Sequence, residues 1–123
     1  MSRDKTMRRQ LSELHDTRRQ LLRMLTASME LAVGTVSIVK QKCGKPTCRC
    51  VTGEGHPKVL FLFASADGHR RCKLIRRDDE ERLLAANERY REFRKGLRQL
   101  QIINQQEKQI LLALQGGRAI TYT

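Results

Sequence analysis

Apolar residues near the start of the chain recur with the spacing of one helix face. They stand at Met7, Leu11, Leu14, Leu21 and Leu25. Arg18 occupies the one polar position that completes the stripe of three- and four-residue steps. This spacing predicts an amphipathic helix that buries one side, from about Arg3 to Leu31. Gly34 ends it, so residues 1–34 form the first segment of the chain.

The period of the pattern changes in residues 35–77. Thr35 to Lys40 is rich in β-branched residues and alternates, which predicts a strand. Val59 to Phe63 is apolar on both faces, which predicts a central strand. Asp67-Gly68 is typical of a hairpin turn, because both positions accept a positive φ at low cost. A third strand, from about Arg70 to Arg76, completes an antiparallel meander whose first two strands are joined by a long loop.

Residues 78–115 return to helical spacing. Four carboxylates, Asp78 to Glu81, stand where the amides and the dipole of a helix N-terminus favour negative charge. From Leu83 to Leu114 the stripe alternates steps of three and four without a slip, which indicates a coiled-coil seam. Two glycines then end the helix, and residues 116–123 are predicted to be a flexible tail. The whole chain is thus predicted to be one α+β domain.

The seam of the last helix needs a second helix to pack against. The first helix can supply it in an antiparallel hairpin, or a second copy of the chain can supply it in a dimer. Asn104 distinguishes the two arrangements. A buried Asn needs a partner amide, and such a pair fixes the oligomeric state. The alternative is that Asn104 projects into solvent. We favour the homodimer. Its seam consists of Tyr90, Phe93, Leu97, Leu100, Asn104 and Leu111.

Three cysteines lie within eight residues of the predicted loop, and Gly44 and Pro46 would supply the tight turn that brings them together. They are Cys43, Cys48 and Cys50. Zinc prefers four nitrogen or sulfur ligands, and thiols in a reducing compartment more often hold metal than form disulfides. We therefore predict a structural Zn²⁺ site. The fourth ligand is His56, on the same loop, or alternatively Cys72 on the third strand.

Positive charge is concentrated in the same part of the chain. The protein has 25 Lys and Arg against 13 Asp and Glu, a net charge of +12, and residues 31–77 hold ten of the basic residues but only two acidic ones. Such a concentration attracts a polyanion, so we expect DNA, or alternatively RNA, as a partner. The nine expected contacts are Lys40, Lys42, Lys45, Arg49, Arg70, Arg71, Lys73, Arg76 and Arg77.

Two of these cations are the candidates for contacts to base edges, Arg49 on the loop and Arg71 on the third strand. Alternation along that strand predicts that Arg71 and Lys73 share an outer face, with Cys72 and Leu74 turned inward. Phe61 and Phe63 are expected in the core, so stacking on single-stranded bases is a weaker prediction than contact with a duplex backbone.

The region around the cysteines resembles a family of short bacterial proteins of unknown function that is associated with mobile and integrated elements. The similarity covers about residues 36–105 and is most specific in CGKPTCRC, residues 43–50, followed by GEGHP and YREF. In that family the histidine is usually followed by Gly-Pro, whereas Pro57 follows His56 directly here. Cys72 lies outside the family pattern, so the resemblance implies His56 as the zinc ligand.

The function predicted from these features is that of a DNA-binding accessory or regulatory factor of a mobile element. The alternative is an adaptor that docks on a recombinase or another enzyme through its coiled coil and its zinc ribbon. An enzyme is not expected, because no acid partner of the histidines, nucleophile elbow or phosphate loop is visible. No stretch approaches the roughly 18 apolar residues of a membrane span, and no secretory signal is present, so a cytoplasmic location is expected.

Overall fold

The computed structural model describes residues 2–42, 44–49, 52–53 and 55–123. The elements are α1 (Ser2–Leu25), β1 (Thr35–Gln41), β2 (His56–Ala64), β3 (Arg70–Leu74) and α2 (Arg77–Arg118). An N-terminal helix, a three-stranded antiparallel sheet and a long C-terminal helix follow in the predicted order, which confirms the α+β class. None of the helices in the described ranges is long and apolar enough to cross a membrane.

The chain divides into two compact units. The helical unit combines Met1–Ser28 with Glu92–Thr123, and the sheet unit is Met29–Arg91. In the helical unit the predicted stripe of α1 is less exposed than its surroundings. The side chain of Ile103 on α2 is only 2% exposed, the most buried of the described hydrophobic residues. The unit is thus built around contacts between α1 and the second part of α2.

Gly96 lies at the contact between the two helices. A Cβ atom there would stand 2.8 Å from methyl carbons of Leu25 and Met24. Glycine in a helix interior costs about 1 kcal/mol of helix stability relative to alanine. At position 96 the missing side chain leaves the space that α1 occupies. Arg18, earlier on α1, meets Asn104, later on α2. The two helices therefore run antiparallel, the hairpin arrangement considered from the sequence.

Two predicted helix ends are wrong. α1 ends at Leu25 instead of about Leu31. From Met29 onward the chain belongs to the sheet unit, and the N–H of Ala32 donates to the carbonyl oxygen of Ala86 on α2. α2 continues through both glycines to Arg118, since glycine weakens a helix without forbidding its geometry. The segment outside the helices at the C-terminal end is therefore 119–123 and not 116–123.

In the sheet unit β2 is the central strand, as predicted, with the strand order β1-β2-β3. The register pairs Val36 with Phe61 and Phe61 with Lys73. Paired residues share a face, so Phe61 and Phe63 lie on one side of the sheet and Leu60 and Leu62 on the other. The aromatic side faces α2, because both phenylalanines line a groove of about 440 Å³ together with Leu83 and Ala86.

The turn between β2 and β3 forms where Asp67-Gly68 predicted it. Gly68 adopts a φ of +85°, but Asp67 does not adopt a positive φ. Its carboxylate instead accepts hydrogen bonds from the Ser65 hydroxyl and, at 3.1 Å, from the backbone N–H of His69. These donors, together with Arg71, hold the pKa of Asp67 below its usual range, the Ser65 hydroxyl contributing most. The side chain therefore stabilises the turn as an acceptor.

The segment between α1 and β1 is held on α2 through backbone groups. The buried amide of Asn87 donates to the carbonyl oxygens of Ala32 and Gly34, both at 3.0 Å. The N–H of Ala32 donates to the carbonyl oxygen of Ala86 at 3.1 Å. A Cβ atom at Gly34 would overlap the carbonyl oxygen of Leu62, so only glycine fits at this point. This segment enters β1 from a fixed position on α2.

The third strand is shorter than predicted, and its faces are reversed. Cys72 and Leu74 are exposed on the side of the sheet away from Phe61, which we call the open face. Arg71 and Lys73 share the side of the aromatic residues yet remain exposed, because β3 is an edge strand. The alternation of side chains along β3 was therefore predicted correctly, but the side of the sheet that α2 covers was predicted wrongly.

Candidate metal centre and nucleic-acid interface

The loop between β1 and β2 contains a reverse turn at Pro46. The N–H of Cys48 donates to the carbonyl oxygen of Lys45 at 3.1 Å, and Pro46 takes the second position of this turn, which its fixed φ favours. Farther along, the N–H of Thr52 donates to the carbonyl oxygen of Arg49 at 3.4 Å. Gly44 has a φ of +80°. The structure thus has a turn at Pro46, with Gly44 just before it; the approach of Cys43 to Cys48 and Cys50, for which the turn was predicted, lies outside the described residues.

Gly55 closes the loop against the end of β1. Its φ is +95°, and a Cβ atom there would stand 2.5 Å from the backbone carbon of Gln41 and 2.8 Å from the nitrogen of Lys42. Any other residue would meet both a strained backbone conformation and fixed backbone atoms. The close approach places His56 as the first residue of β2, directly opposite Gln41.

This geometry brings two of the predicted zinc ligands together. Sγ of Cys48 lies 3.0 Å from Nε2 of His56. The other two predicted ligands, Cys43 and Cys50, lie outside the described residues. Within the described ranges no group of three or more His, Cys, Asp or Glu side chains is positioned to hold a metal ion. Cys48 and His56 are therefore the two predicted ligands that the described residues bring together, whereas a closed zinc site requires four.

Cys72, the alternative fourth ligand, lies elsewhere in the sheet. It pairs with Leu62, six residues along β2 from His56. At about 3.3 Å per residue this corresponds to a separation of roughly 20 Å. An ion bound by Cys48 and His56 is out of reach of Cys72. The separation therefore favours the histidine as the fourth ligand.

The described side chains of the loop are almost all exposed. Of the described side chains from Lys42 to Thr52, only that of Cys48 is even partly buried. Ordering a residue costs about 1–2 kcal/mol of backbone entropy, which apolar burial normally offsets. In the described part of this loop the offset comes instead from the turn at Pro46, the bonds from Thr52 to the Arg49 carbonyl oxygen and the close approach of Gly55 to the end of β1.

All nine cations predicted to contact nucleic acid are exposed. They fall into two groups, which we call the loop group and the β3 group. The loop group is Lys40, Lys42, Lys45 and Arg49. The β3 group is Arg70, Arg71, Lys73, Arg76 and Arg77. The two groups lie along the sheet and not on one compact patch.

The two groups span nearly the whole sheet. Arg70 pairs with Ala64, eight residues along β2 from His56, which corresponds to roughly 26 Å. The chain after β3 continues toward the loop, since the N–H of Ile75 donates to the carbonyl oxygen of Val59 at 2.9 Å. Arg76 and Arg77 follow this bond and so lie between the two extremes. The positive residues thus follow the length of the sheet.

Arg71 is less available than the sequence indicated. One of its guanidinium nitrogens lies 3.5 Å from a carboxylate oxygen of Asp67, in an exposed ion pair. Lys58, which the sequence analysis missed, is a further candidate. It stands two residues after His56 on β2 and therefore on the same face of the sheet. Side chains alternate between the two faces of a strand, so counting two residues from the predicted ligand His56 would have identified Lys58.

The predicted dimer seam does not behave as one surface. Tyr90, Phe93 and Leu100 are partly buried, whereas Leu97, Asn104 and Leu111 are exposed. The amide oxygen of Asn104 accepts a hydrogen bond from the guanidinium of Arg18 at 2.7 Å, and the same guanidinium forms an ion pair with Glu107. Asn104 therefore has a partner within its own chain, and its presence no longer argues for a second copy.

These features define an α+β protein with a helical hairpin and a cation-lined three-stranded sheet that carries a cysteine loop. The chain belongs to the family described as a domain of unknown function, DUF6788, which matches residues 9–85. The match runs from α1 through all three strands into the first turns of α2. No curated protein and no solved structure matches the chain. The predicted membership of a family of unknown function is confirmed at this level.

Proposed function

We propose that this protein binds nucleic acid, DNA in the first place, through the cations of its sheet unit, and serves a mobile element as an accessory or regulatory factor. The observation that carries the proposal is the exposure of all nine predicted cations along the sheet and its loop. Asp67 is the one carboxylate among the described residues from 35 to 77, and it already serves the turn. The described residues from 35 to 77 therefore carry almost only positive charge, distributed over both faces of the sheet and its loop.

The size of this surface suits a duplex. A duplex carries one charge per about 1.7 Å, so a sheet of roughly 26 Å lies alongside about 15 phosphates. Six to eight of these contacts would make affinity fall by about three to five powers of ten between about 50 and 200 mM salt. Duplex RNA, recognised by shape and phosphate, is the alternative polyanion.

We assign the metal a structural role in this proposal. The ligands would be Cys48 and His56, whose side chains touch, together with Cys43 and Cys50. A bound Zn²⁺ would fix the loop and so hold Lys45 and Arg49 in a defined position relative to the sheet. No step of a reaction is assigned to the ion.

The binding test is a salt titration of fluorescence anisotropy with a labelled DNA duplex and an RNA duplex of the same sequence. Lys45→Gln with Arg49→Gln should weaken binding and lower the salt slope by about two counterions. The matched control removes the same charge from α1, with Arg9→Gln and Arg19→Gln, both exposed. Equal losses in the two double variants would show that only net charge matters, which contradicts the proposed interface.

The metal test uses zinc content and metal-free unfolding as its readouts. Protein purified without chelator should contain one zinc ion per chain, and Cys48→Ser should lose it. Cys72→Ser is the matched control and should keep the ion, because Cys72 is about 20 Å from the site. Loss of zinc from Cys72→Ser, or zinc-free wild-type protein that stays folded in zinc-containing buffer, would refute the assignment.

A second candidate function is that of a protein-interaction adaptor. It is favoured by Leu97 and Leu111, which occupy seam positions of α2 but remain about half exposed. In this function the long helix forms a coiled coil with a partner, either a second copy, as predicted from the sequence, or a different protein such as a recombinase. The sheet and its loop would then serve as the second contact with that partner.

A further inference from the structure

One side of α2 in the helical unit carries apolar residues that α1 leaves uncovered. Leu97 is 45% exposed and Leu111 is 51% exposed. They are fourteen residues, two heptads, apart, and Asn104 stands midway between them. The hairpin interface lies on the adjacent stripe, where Ile103 is almost fully buried. The helix therefore has two neighbouring apolar stripes, one occupied within the chain and one not.

The uncovered stripe lies in a positive environment. It begins at a shallow groove lined by Arg94, Leu97, Arg98, Leu100, Gln101 and Asn104. Lys108 follows Asn104 by one helical turn, and Gln105 and Leu112 flank the stripe on its far side. On this fully described stretch the positions at and beside the stripe include three cations, and the one carboxylate among them, Glu107, is already paired with Arg18 of α1. We call this surface the Leu97–Leu111 face.

This charge pattern selects the kind of partner. Two copies of the face packed together would bring cations such as Arg98 and Lys108 against one another, which is unfavourable at coiled-coil flanks. Nucleic acid would use the cations but would gain little from leucines at heptad spacing. A helix with its own apolar stripe and flanking glutamates would contact the leucines of the face with its stripe and the cations with its glutamates. Apolar burial would supply affinity, and the opposite charges would set orientation and partner choice.

We propose that the Leu97–Leu111 face binds an acidic amphipathic helix of a partner protein, packing it beside α1 to extend the hairpin to a three-helix arrangement. The proposal concerns the helical unit and does not depend on nucleic-acid or zinc binding by the sheet unit. Asn104 remains engaged with Arg18 in this arrangement. The partner thus needs no amide opposite that position.

The test uses a synthetic helical peptide with leucine at its a and d positions and glutamate at the flanking positions. A peptide of the same composition but scrambled order has the same charge and no stripe. Full-length protein should bind the striped peptide at least roughly tenfold more tightly than the scrambled one, since apolar burial of this extent exceeds about 1.4 kcal/mol. Equal binding of both peptides would overturn the proposal.

Variants locate the binding site. Leu97→Asn with Leu111→Asn should weaken peptide binding by roughly tenfold or more, whereas Ile102→Asn should not. Ile102 is the matched control, because it is 55% exposed on the same helix but lies on a different side. Thermal unfolding checks that all variants fold. Unchanged peptide binding by the double variant would overturn the proposal. So would sedimentation that shows a dimer for the wild type and a monomer for the double variant, because a second copy of the chain would then occupy the face.

Discussion

The two units of this protein are stabilised in different ways. The helical unit depends on side chains that interlock along two periodic stripes, with Ile103 at the centre. Among the described residues of the sheet unit, the fully buried side chains are small or medium in size, such as Ala32, Val59 and Ala86. This unit depends more on individual hydrogen bonds to backbone groups. Periodicity in a sequence reports the first kind of stabilisation. It carries little information about the second.

The same contrast explains the polar residues of the helices. Arg18 interrupts the apolar stripe of α1, and Asn104 and Glu107 interrupt that of α2. Considered separately, each interruption weakens the prediction of a buried helix face. In the folded hairpin the guanidinium contacts both partners, so the interruptions complement each other. Matching polar positions in two stripes therefore indicate which helices pair and in which register.

The largest effect is expected from a cavity in the helical unit. Ile103→Ala should lower the free energy of unfolding by about 4 kcal/mol, because it removes buried methylene groups and leaves a void. The neighbouring Ile102→Ala, at an exposed position, should change it by less than about 1 kcal/mol. Urea unfolding followed by circular dichroism measures both. Similar losses in the two variants would show that α1 does not cover Ile103.

The glycine that closes the cysteine loop should have the next largest effect. Gly55→Ala combines a positive φ with overlap of backbone atoms at Gln41, and should cost about 3 kcal/mol and weaken zinc binding. Gly53→Ala is the matched control, since its Cβ atom would meet only the Arg49 carbonyl oxygen at 3.6 Å. Unfolding and zinc competition with a chelator dye measure the pair. Equal zinc affinities for both variants would contradict the role of Gly55 in placing His56.

Asn87 tests backbone satisfaction in the sheet unit. Asn87→Ala removes the donor to two carbonyl groups and should cost about 2 kcal/mol, the range for leaving buried acceptors unpaired. Glu88→Ala, at the exposed next position, should cost far less. Hydrogen exchange should show that amides of β1 lose protection in Asn87→Ala, because the segment leading into that strand is released. Unchanged protection in β1 would show that Gly34 and its neighbours are fixed by other contacts.

The elements that the sequence predicted well are those that follow from the periodic spacing of apolar residues or from the turn preference of a single residue. Both helices, the central position of β2 and the turn at Gly68 follow from spacing and from conformational freedom at single residues. The predicted end of α1 was wrong because the chain from Met29 onward belongs to the sheet unit and bonds to α2 at Ala32, a contact that no local pattern shows. For the site, Cys48 and His56 lie side by side, while the predicted set of four zinc ligands stays a prediction. The separation of Cys72 needed the register of β3, and register is a tertiary property.

The smallest effect is expected where the sheet unit uses an exposed ion pair. The Arg82 guanidinium donates to both carboxylate oxygens of Glu30 at 2.7 Å and lowers the pKa of that carboxyl from its ordinary 4.5. The pair therefore stabilises the fold above pH 4.5, and its contribution is lost as the pH falls through the lower pKa of the folded state. The stability difference between wild type and Glu30→Gln should be constant near neutral pH and shrink in acid. Adding Arg82→Met should remove this pH dependence, and moderate salt should reduce it, because an exposed pair is screened. A difference that persists unchanged into acid would show that the effect of Glu30→Gln does not come from the ionised carboxylate, which contradicts the role of the ion pair.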